Sequence, residues 1–306
     1  MAAFFGRLGG WLYQRPYLLI ALTYLMWSAN IVAGRHAAGH IPPVALSVWR
    51  WGFAGVVLLP FAWPHLKTDW AQIRAHAWLI VILAITGTTG YAIAAYGALQ
   101  YTQAINGLLI QCTMPMAVGF MSYVLFGDRL NGRQMFGVIL SFAGVVWILT
   151  RGDLAVLHAI AFNIGDLFFI AATLIFASYS ALVKRRPKIH PLSFLTITSL
   201  AGTICVLPLY AWEIVTAAPP QYDMKTFWIV AYIAIFPTIL AYLCFNRGVE
   251  AVGPNRAAAM YPLIIVFGSV IAILLLGEHP QSYHAVGTAL IVCGVLLATR
   301  QGRAAS

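Results

Sequence analysis

Charge is scarce in this sequence: 8% of its 306 residues are Asp, Glu, Lys or Arg, against 61% hydrophobic ones. A water-soluble domain carries roughly 25% charged residues, so this chain lacks the groups to cover a surface in water. Its mean hydropathy of +0.84 points the same way, and a polytopic membrane protein follows. Other absences narrow the function. No GxxxxGK[ST] segment is present, which argues against ATP hydrolysis by the chain. The eight histidines fall at span ends or in loops, leaving no histidine relay or HExxH chemistry inside the membrane. Deep carboxylates are missing too, since Asp166 sits near a span start, so dedicated proton coupling has no evident carrier; antiport through Asp166 or Glu250 stays open. Cys112, Cys205, Cys244 and Cys293 lie in apolar spans without paired spacing and read as small buried residues rather than disulfides or metal ligands. Neither a metal site nor a cofactor is expected. The opening "MAAFFGRLGGWLYQRP" has no small-residue cleavage site after an apolar core, so no removed signal peptide is expected.

What the chain does have is apolar sequence, in ten runs: 17–35, 43–62, 77–99, 104–126, 133–150, 162–184, 191–213, 226–247, 255–276 and 283–300. Each approaches the ~17–25 residues that ~30 Å of hydrocarbon requires at ~1.5 Å per residue. A β-barrel would instead need alternating ~10-residue segments. The predicted fold is all-α and integral to the membrane, with ten transmembrane helices.

The net charge of +10 and pI near 9.7 are distributed unevenly along the chain. With the N-terminus inside, fourteen of the eighteen Lys and Arg residues fall on inner segments, including the run Lys184, Arg185, Arg186 and Lys188. Arg35, Arg151 and Lys225 fall outside, and Arg50 lies within a span. The positive-inside rule then puts both termini in the cytoplasm and explains the basic pI without a nucleic-acid partner. The basic run suits contact with anionic lipid headgroups.

Sliding the chain by 150 residues lays "LFGDRLNGRQMFGVILSFAGVV" (125–146) over "LLGEHPQSYHAVGTALIVCGVL" (275–296). Gly127, Gly137 and Gly144 meet Gly277, Gly287 and Gly294, and Asp128 meets Glu278. Near the start of each half the offset is 148, matching Pro43 and Pro60 to Pro191 and Pro208. Five spans per half is an odd number, so the halves insert upside down. The expected architecture is two inverted five-helix repeats, 1–155 and 156–306, around a central cavity with its substrate site near the midplane.

These stretches, with "YLMWSANIVAGRH" and "PPVALSVWRWGFAG", resemble the EamA-type members of the drug/metabolite transporter superfamily, most closely the YddG-type bacterial amino-acid exporters. The resemblance spans both halves. It implies ten helices, a cavity formed mainly by helices one to four and six to nine, and a place in the bacterial cytoplasmic (inner) membrane. It also implies export of aromatic and other neutral amino acids and related metabolites. "LGEHP" departs from the first half in lacking the basic residue that follows Asp128, which weakens a paired-charge role for Glu278.

Arg50 stands seven residues after Pro43, about 10 Å into span two. It is either a structural arginine that snorkels or pairs with carbonyls or Asp166, or a guanidinium that attracts a substrate carboxylate. Tyr24, Trp27 and Asn30, spaced by three, share one helical face of span one. Their repeat partners Thr173, Phe176 and Tyr179 form a similar face on span six. Tyr91, Tyr96, Gln111, Tyr242, Asn246 and Tyr261 add hydrogen-bonding groups. Each of these also has a reading as helix packing, but together they describe an uncharged, aromatic chamber suited to apolar zwitterions. Pro115, Pro237 and Pro262 interrupt spans four, eight and nine, as hinges or as static kinks; "TGTTG" (86–90) permits a bend or close packing in span three.

The expectation is a transporter of small molecules working in the lipid bilayer by alternating access, through facilitated diffusion or exchange. Its oligomeric state is open, a monomer included. The alternative is a carrier for another metabolite or drug, such as a nucleotide sugar, with proton coupling an option; phosphates would call for more cavity Lys and Arg than Arg50 alone. A non-transporting sensor or assembly subunit is a further reading. An intramembrane enzyme is disfavoured, because GxGD aspartates and Ser/His pairs within spans are absent.

Overall fold

The structure, a computed structural model, describes residues 10–37, 41–98, 101–102, 104–159, 162–216, 223–276 and 279–300. They form ten helical passages, with no strand among the described residues. α1 is Pro16–Ala37, α2 Pro43–Ala75, and α3 runs through Ala77–Ala84, Ile85–Thr89 and Gly90–Ala98. α4 has two segments, Ala104–Gln111 and Met114–Phe126, followed by α5 (Gly132–Leu149), α6 (Ile164–Leu182) and α7 (Pro191–Thr216). α8 is Met224–Val252, α9 has the segments Pro254–Ala259 and Leu263–Leu276, and α10 is Ser282–Thr299. Eight helices among the described residues are long and apolar enough to cross a membrane; α1 and the two-part α4 complete the set. The protein is a multi-pass integral membrane protein.

Local chemistry sets the helix ends. Asn131 Oδ1 accepts the Gln134 N–H while Gln134 Oε1 accepts the Asn131 N–H, a capping box that starts α5. Asn163 and Asp166 open α6 the same way. Gly127, at φ +72°, stops α4, with its N–H and that of Asp128 directed to the Tyr123 and Ser122 carbonyls.

Two expectations from the sequence need correction. α2 does not end near residue 62 but continues to Ala75 with Pro60 and Pro64 inside it. Its 33 residues span about 50 Å, well beyond the ~30 Å hydrocarbon layer. Proline disrupts an isolated helix, but here tertiary contacts hold the extension: Ile73 is buried, Asp69 Oδ2 accepts the His190 N–H at 2.9 Å, and His65 stacks on His190 with ring centroids 3.6 Å apart. His65 is thus inside a helix rather than at its end. The cysteines also differ from expectation: Cys112 is buried, but Cys205 and Cys293 are exposed on the bundle surface. Lipid is as apolar as the interior, so hydropathy does not separate the two environments.

Tyr17 OH donates to the Thr299 carbonyl at 3.1 Å, joining the start of α1 to the end of α10; this end of the bundle is termed the terminal end below. Exposed Trp63, Trp70 and Trp78 ring it, and exposed Trp212, Phe227 and Trp228 ring the opposite end, as interfacial aromatic belts do.

Contacts between the halves repeat in mirrored pairs. A Cβ on Gly137 would lie 2.5 Å from the Gly294 carbonyl oxygen, and one on Gly144 would lie 2.7 Å from that of Gly287. The repeat shift converts the first contact into the second, as a two-fold relation between α5 and α10 demands. Between them, Ser141 Oγ donates to the carbonyl of its own repeat partner, Ile291, at 3.3 Å. α2 and α7 are also reciprocal. Glu213 near the end of α7 accepts the Val44 and Ala45 N–H groups at 3.0 and 2.7 Å, whereas Asp69 near the end of α2 accepts the N–H that precedes α7. Each carboxylate meets unpaired N–H groups and the positive pole at the partner helix's start.

Candidate functional site

α3 and α8 each contain a π-helical turn, Ile85–Thr89 and Ile235–Leu240, starting 150 residues apart. The wider turn displaces the backbone ladder and is found most often at functional positions. Pro237 has no N–H for the Ile233 carbonyl four residues back; the Thr238 hydroxyl reaches that carbonyl at 2.8 Å instead. Thr238 Oγ1 then accepts from Arg50 Nε at 2.6 Å. The Pro237 carbonyl accepts twice, from Arg50 Nη2 at 3.3 Å and from Trp27 Nε1 at 3.0 Å. In α3 the Gly87 carbonyl accepts from Tyr242 OH at 2.6 Å. Gly87 leaves no space for a side chain, because the Tyr179 ring lies against it.

α4 and α9 are broken at matching places, residues 112–113 and 260–262. Pro115 sits in the first turn of the second α4 segment, a position that needs no N–H, and Pro262 sits in the break of α9. Pro237 lies in the α8 π turn. All three prolines therefore mark helix interruptions. Interrupted helices at corresponding positions of two halves point to the binding region of a transporter.

Around these breaks the aromatic residues converge. Trp27 contacts Tyr24, Phe176, Tyr242 and Phe245 with centroid separations of 5.7, 5.5, 5.6 and 5.3 Å. Trp51 stands edge-on to Tyr242 at 4.9 Å, and Tyr91 is 5.5 Å from Phe176. Tyr24, Tyr179, Tyr242 and Tyr261 are buried, while Trp27, Asn30, Arg50, Tyr91 and Gln111 are half-buried. Tyr24 OH donates to the Ala257 carbonyl, and Tyr179 OH donates to Asn246 Oδ1. Gln111 Oε1 accepts from both Tyr91 and Tyr261 at 3.3 and 3.2 Å. Asn30 carries a buried oxygen with no hydrogen-bond partner among the described residues. The Tyr96 side chain and Glu278 lie outside the described residues.

Among the described residues Arg50 has only neutral partners: Thr238, the Pro237 carbonyl, and the Trp51 ring 5.4 Å from its guanidinium carbon. No carboxylate pairs with it among the described residues. Asp166, the alternative partner read from the sequence, is instead enclosed by Thr102, Asn106 and the Asn163 N–H at 2.6 to 3.3 Å. Those bonds tie the first α4 segment to α6. The sequence reading overlooked Trp51 and Phe245, although Trp51 adjoins Arg50 and Phe245 lies one turn beyond Tyr242. Both were hidden among many apolar rings that differ only in which way they face.

The sequence profile of the EamA-like transporter family matches twice, over residues 14–150 and 163–300. The chain belongs to that family. A Bacillus subtilis relative, "Uncharacterized transporter YyaM", is 23% identical over 284 residues, covering 92% of this chain and 93% of its own. A Salmonella typhimurium protein named "Probable amino-acid metabolite efflux pump" is 24% identical over 294 residues, covering 93% and 94%. A solved structure titled "Crystal structure of protein" shares the fold with TM-score 0.76 at 19% identity, covering 94% of this chain and 96% of its own. This EamA-family chain is thus a membrane transporter whose two repeats meet at paired helix breaks.

Proposed function

We propose that the chain exports neutral amino acids, chiefly aromatic ones, and related metabolites, with the set from Tyr24 to Tyr261 holding the substrate. The observation that carries this reading is Arg50: one guanidinium without a carboxylate partner among the described residues, set beside Trp27, Trp51 and the α8 π turn. A substrate carboxylate would complete it, and neighbouring rings would take an apolar side chain. One cation suits a zwitterion better than a polyphosphate.

Movement is by alternating access. The first repeat, through residue 155, and the second, from 156, exchange inner and outer openings by hinging at the breaks that contain Pro115, Pro237 and Pro262. Both termini face the cytoplasm in a bacterial inner membrane, which the excess of Lys and Arg at the terminal end supports. The Salmonella relative's printed name supports the substrate class.

Counterflow tests the reading. Liposomes holding only this protein, preloaded with unlabelled amino acid, are given trace labelled tryptophan, phenylalanine, threonine or a nucleotide sugar. Accumulation of labelled aromatic amino acid without an imposed proton gradient is expected. Accumulation of the nucleotide sugar alone would replace the amino-acid reading with the metabolite-carrier one.

A further inference from the structure

The terminal end holds a surface cavity of about 260 Å³ that is separate from the central aromatic cluster. It forms where the α4–α5 turn of the first repeat (Asp128, Arg129) meets the end of α6 (Lys184) and the α8–α9 turn (Gly253 to Arg256) of the second. Three cations, Arg129, Lys184 and Arg256, face a single acid, Asp128. That acid is already engaged, with Lys184 Nζ 2.6 Å from its Oδ2. Arg129 lies over the Tyr123 ring at 5.3 Å, and neither Arg129 nor Arg256 has an acidic partner among the described residues.

Asn255 also lines the pocket, but its Oδ1 is an acceptor and takes no part in holding an anion. Gly253, at φ +83°, reverses the chain between α8 and α9 and leads directly into Pro254, a turn that keeps Asn255 and Arg256 on the cavity wall. The two guanidinium groups, without an acidic partner among the described residues, present planar forks of N–H donors, which match phosphate oxygens better than a point charge does. The cavity lies at the terminal end of the bundle, and basic clefts between membrane helices take lipid headgroups.

We infer that this cavity is a phosphate-binding site bridging the two repeats, held by Arg129, Lys184 and Arg256 and taking either the phosphodiester of an anionic lipid or free phosphate. An anion there competes with Asp128 for Lys184, one of the pairs that join the first repeat to the second at this end. Occupancy therefore acts on the relative position of the repeats. The site stands independently of what the central cluster carries, so failure of amino-acid counterflow leaves it untouched.

The test is native mass spectrometry of the intact chain in detergent, titrated with phosphatidylglycerol, phosphatidylcholine or inorganic phosphate. Binding of phosphatidylglycerol or phosphate is expected to weaken about tenfold or more in R129Q/R256Q, as loss of charge-assisted hydrogen bonds implies, and to be unchanged in R151Q at the opposite end. Displacement of bound lipid by millimolar inorganic phosphate would mark free phosphate as the ligand; retention would mark the lipid. If R129Q/R256Q does not fold, R129K/R256K keeps the charge but loses the forks, and weakening of several-fold is expected. Equal binding by wild type and the variants, or no binding of either probe to wild type, overturns the proposal.

Discussion

Tyr261 OH donates a hydrogen bond to Gln111 Oε1 at 3.2 Å, and the two residues are the same position in the two repeats, 150 apart. The broken helices α4 and α9 therefore touch at equivalent points, next to the interruption in each. Gln111 also accepts from Tyr91, so one amide oxygen links α3, α4 and α9. Gln111→Leu removes the acceptor of two tyrosine hydroxyls and is expected to cost about 1–3 kcal/mol of stability. Tyr261→Phe, which removes only one donor, should cost less, and adding it to Gln111→Leu should cost less than the two single effects combined. A thermal-unfolding double-mutant cycle in detergent checks this; additive effects would mean that the pair is not coupled.

Arg50 gives the most direct view of substrate chemistry. Arg50→Gln is expected to weaken recognition of carboxylate-bearing substrates by about tenfold or more, the size of a lost hydrogen bond to a charged group. Arg50→Lys keeps the charge but cannot reach both Thr238 and the Pro237 carbonyl through a fork, so it should fall between. Competition of labelled phenylalanine counterflow by phenylalanine and by its amide separates the outcomes. Wild type should prefer the acid and Arg50→Gln should discriminate little. An undiminished preference in Arg50→Gln would place the carboxylate elsewhere.

The glycine seam between α5 and α10 should be intolerant of side chains. A Cβ on Gly144 would lie 2.7 Å from the Gly287 carbonyl oxygen and 2.9 Å from the Ile291 nitrogen, both backbone atoms that cannot rotate away. Gly144→Ala is therefore expected to destabilise by about 1–3 kcal/mol, as overpacking does. Gly132→Ala, where a Cβ meets nothing within 4 Å, should be neutral or slightly stabilising through the unfolded chain. Melting temperatures of the two variants decide the matter, and a Gly144→Ala protein as stable as wild type would mean that the helices separate at little cost.

Much of this fold can be read in the sequence because the same shift that aligns Gly137 with Gly287 and Gly144 with Gly294 also aligns the π turns of α3 and α8 and the breaks of α4 and α9. Hydropathy sets where spans lie, and repeated glycines and prolines set their register. What cannot be read is which face of a helix meets protein. Cys205 and Cys112 look alike in sequence, yet one faces outward and the other is buried, because lipid and core are equally apolar. The extension of α2 past Pro64 was hidden for a different reason: local proline chemistry opposes it and contacts with α7 override it. In the candidate site, "TGTTG" marked a soft point in α3, but nothing in the residues foretold that the Gly87 carbonyl would serve Tyr242; for Arg50 the residues left backbone carbonyls and Asp166 both open, and the Pro237 carbonyl of the π turn is the one it meets.

The α2–α7 junction carries a pH dependence of its own. Burial lowers the His190 pKa below the usual 6.5, the nearby His65 lowers it further, and Asp69 opposes both. Geometry agrees with a neutral ring, since His190 Nδ1 accepts the Leu192 N–H at 3.3 Å and an imidazolium has no acceptor to offer. A group with a depressed folded-state pKa holds fewer protons when folded than when unfolded. Its contribution to stability is therefore complete above pH 6.5, declines as pH falls and is lost through the folded-state pKa. Thermal stability should fall on acidification in this window, and His190→Asn, whose amide oxygen can keep the cap without titrating, should flatten that part of the profile while leaving stability near pH 8 close to wild type. Parallel melting profiles for the two proteins from about pH 8 to pH 5 would show that the stacked histidines contribute nothing to the dependence.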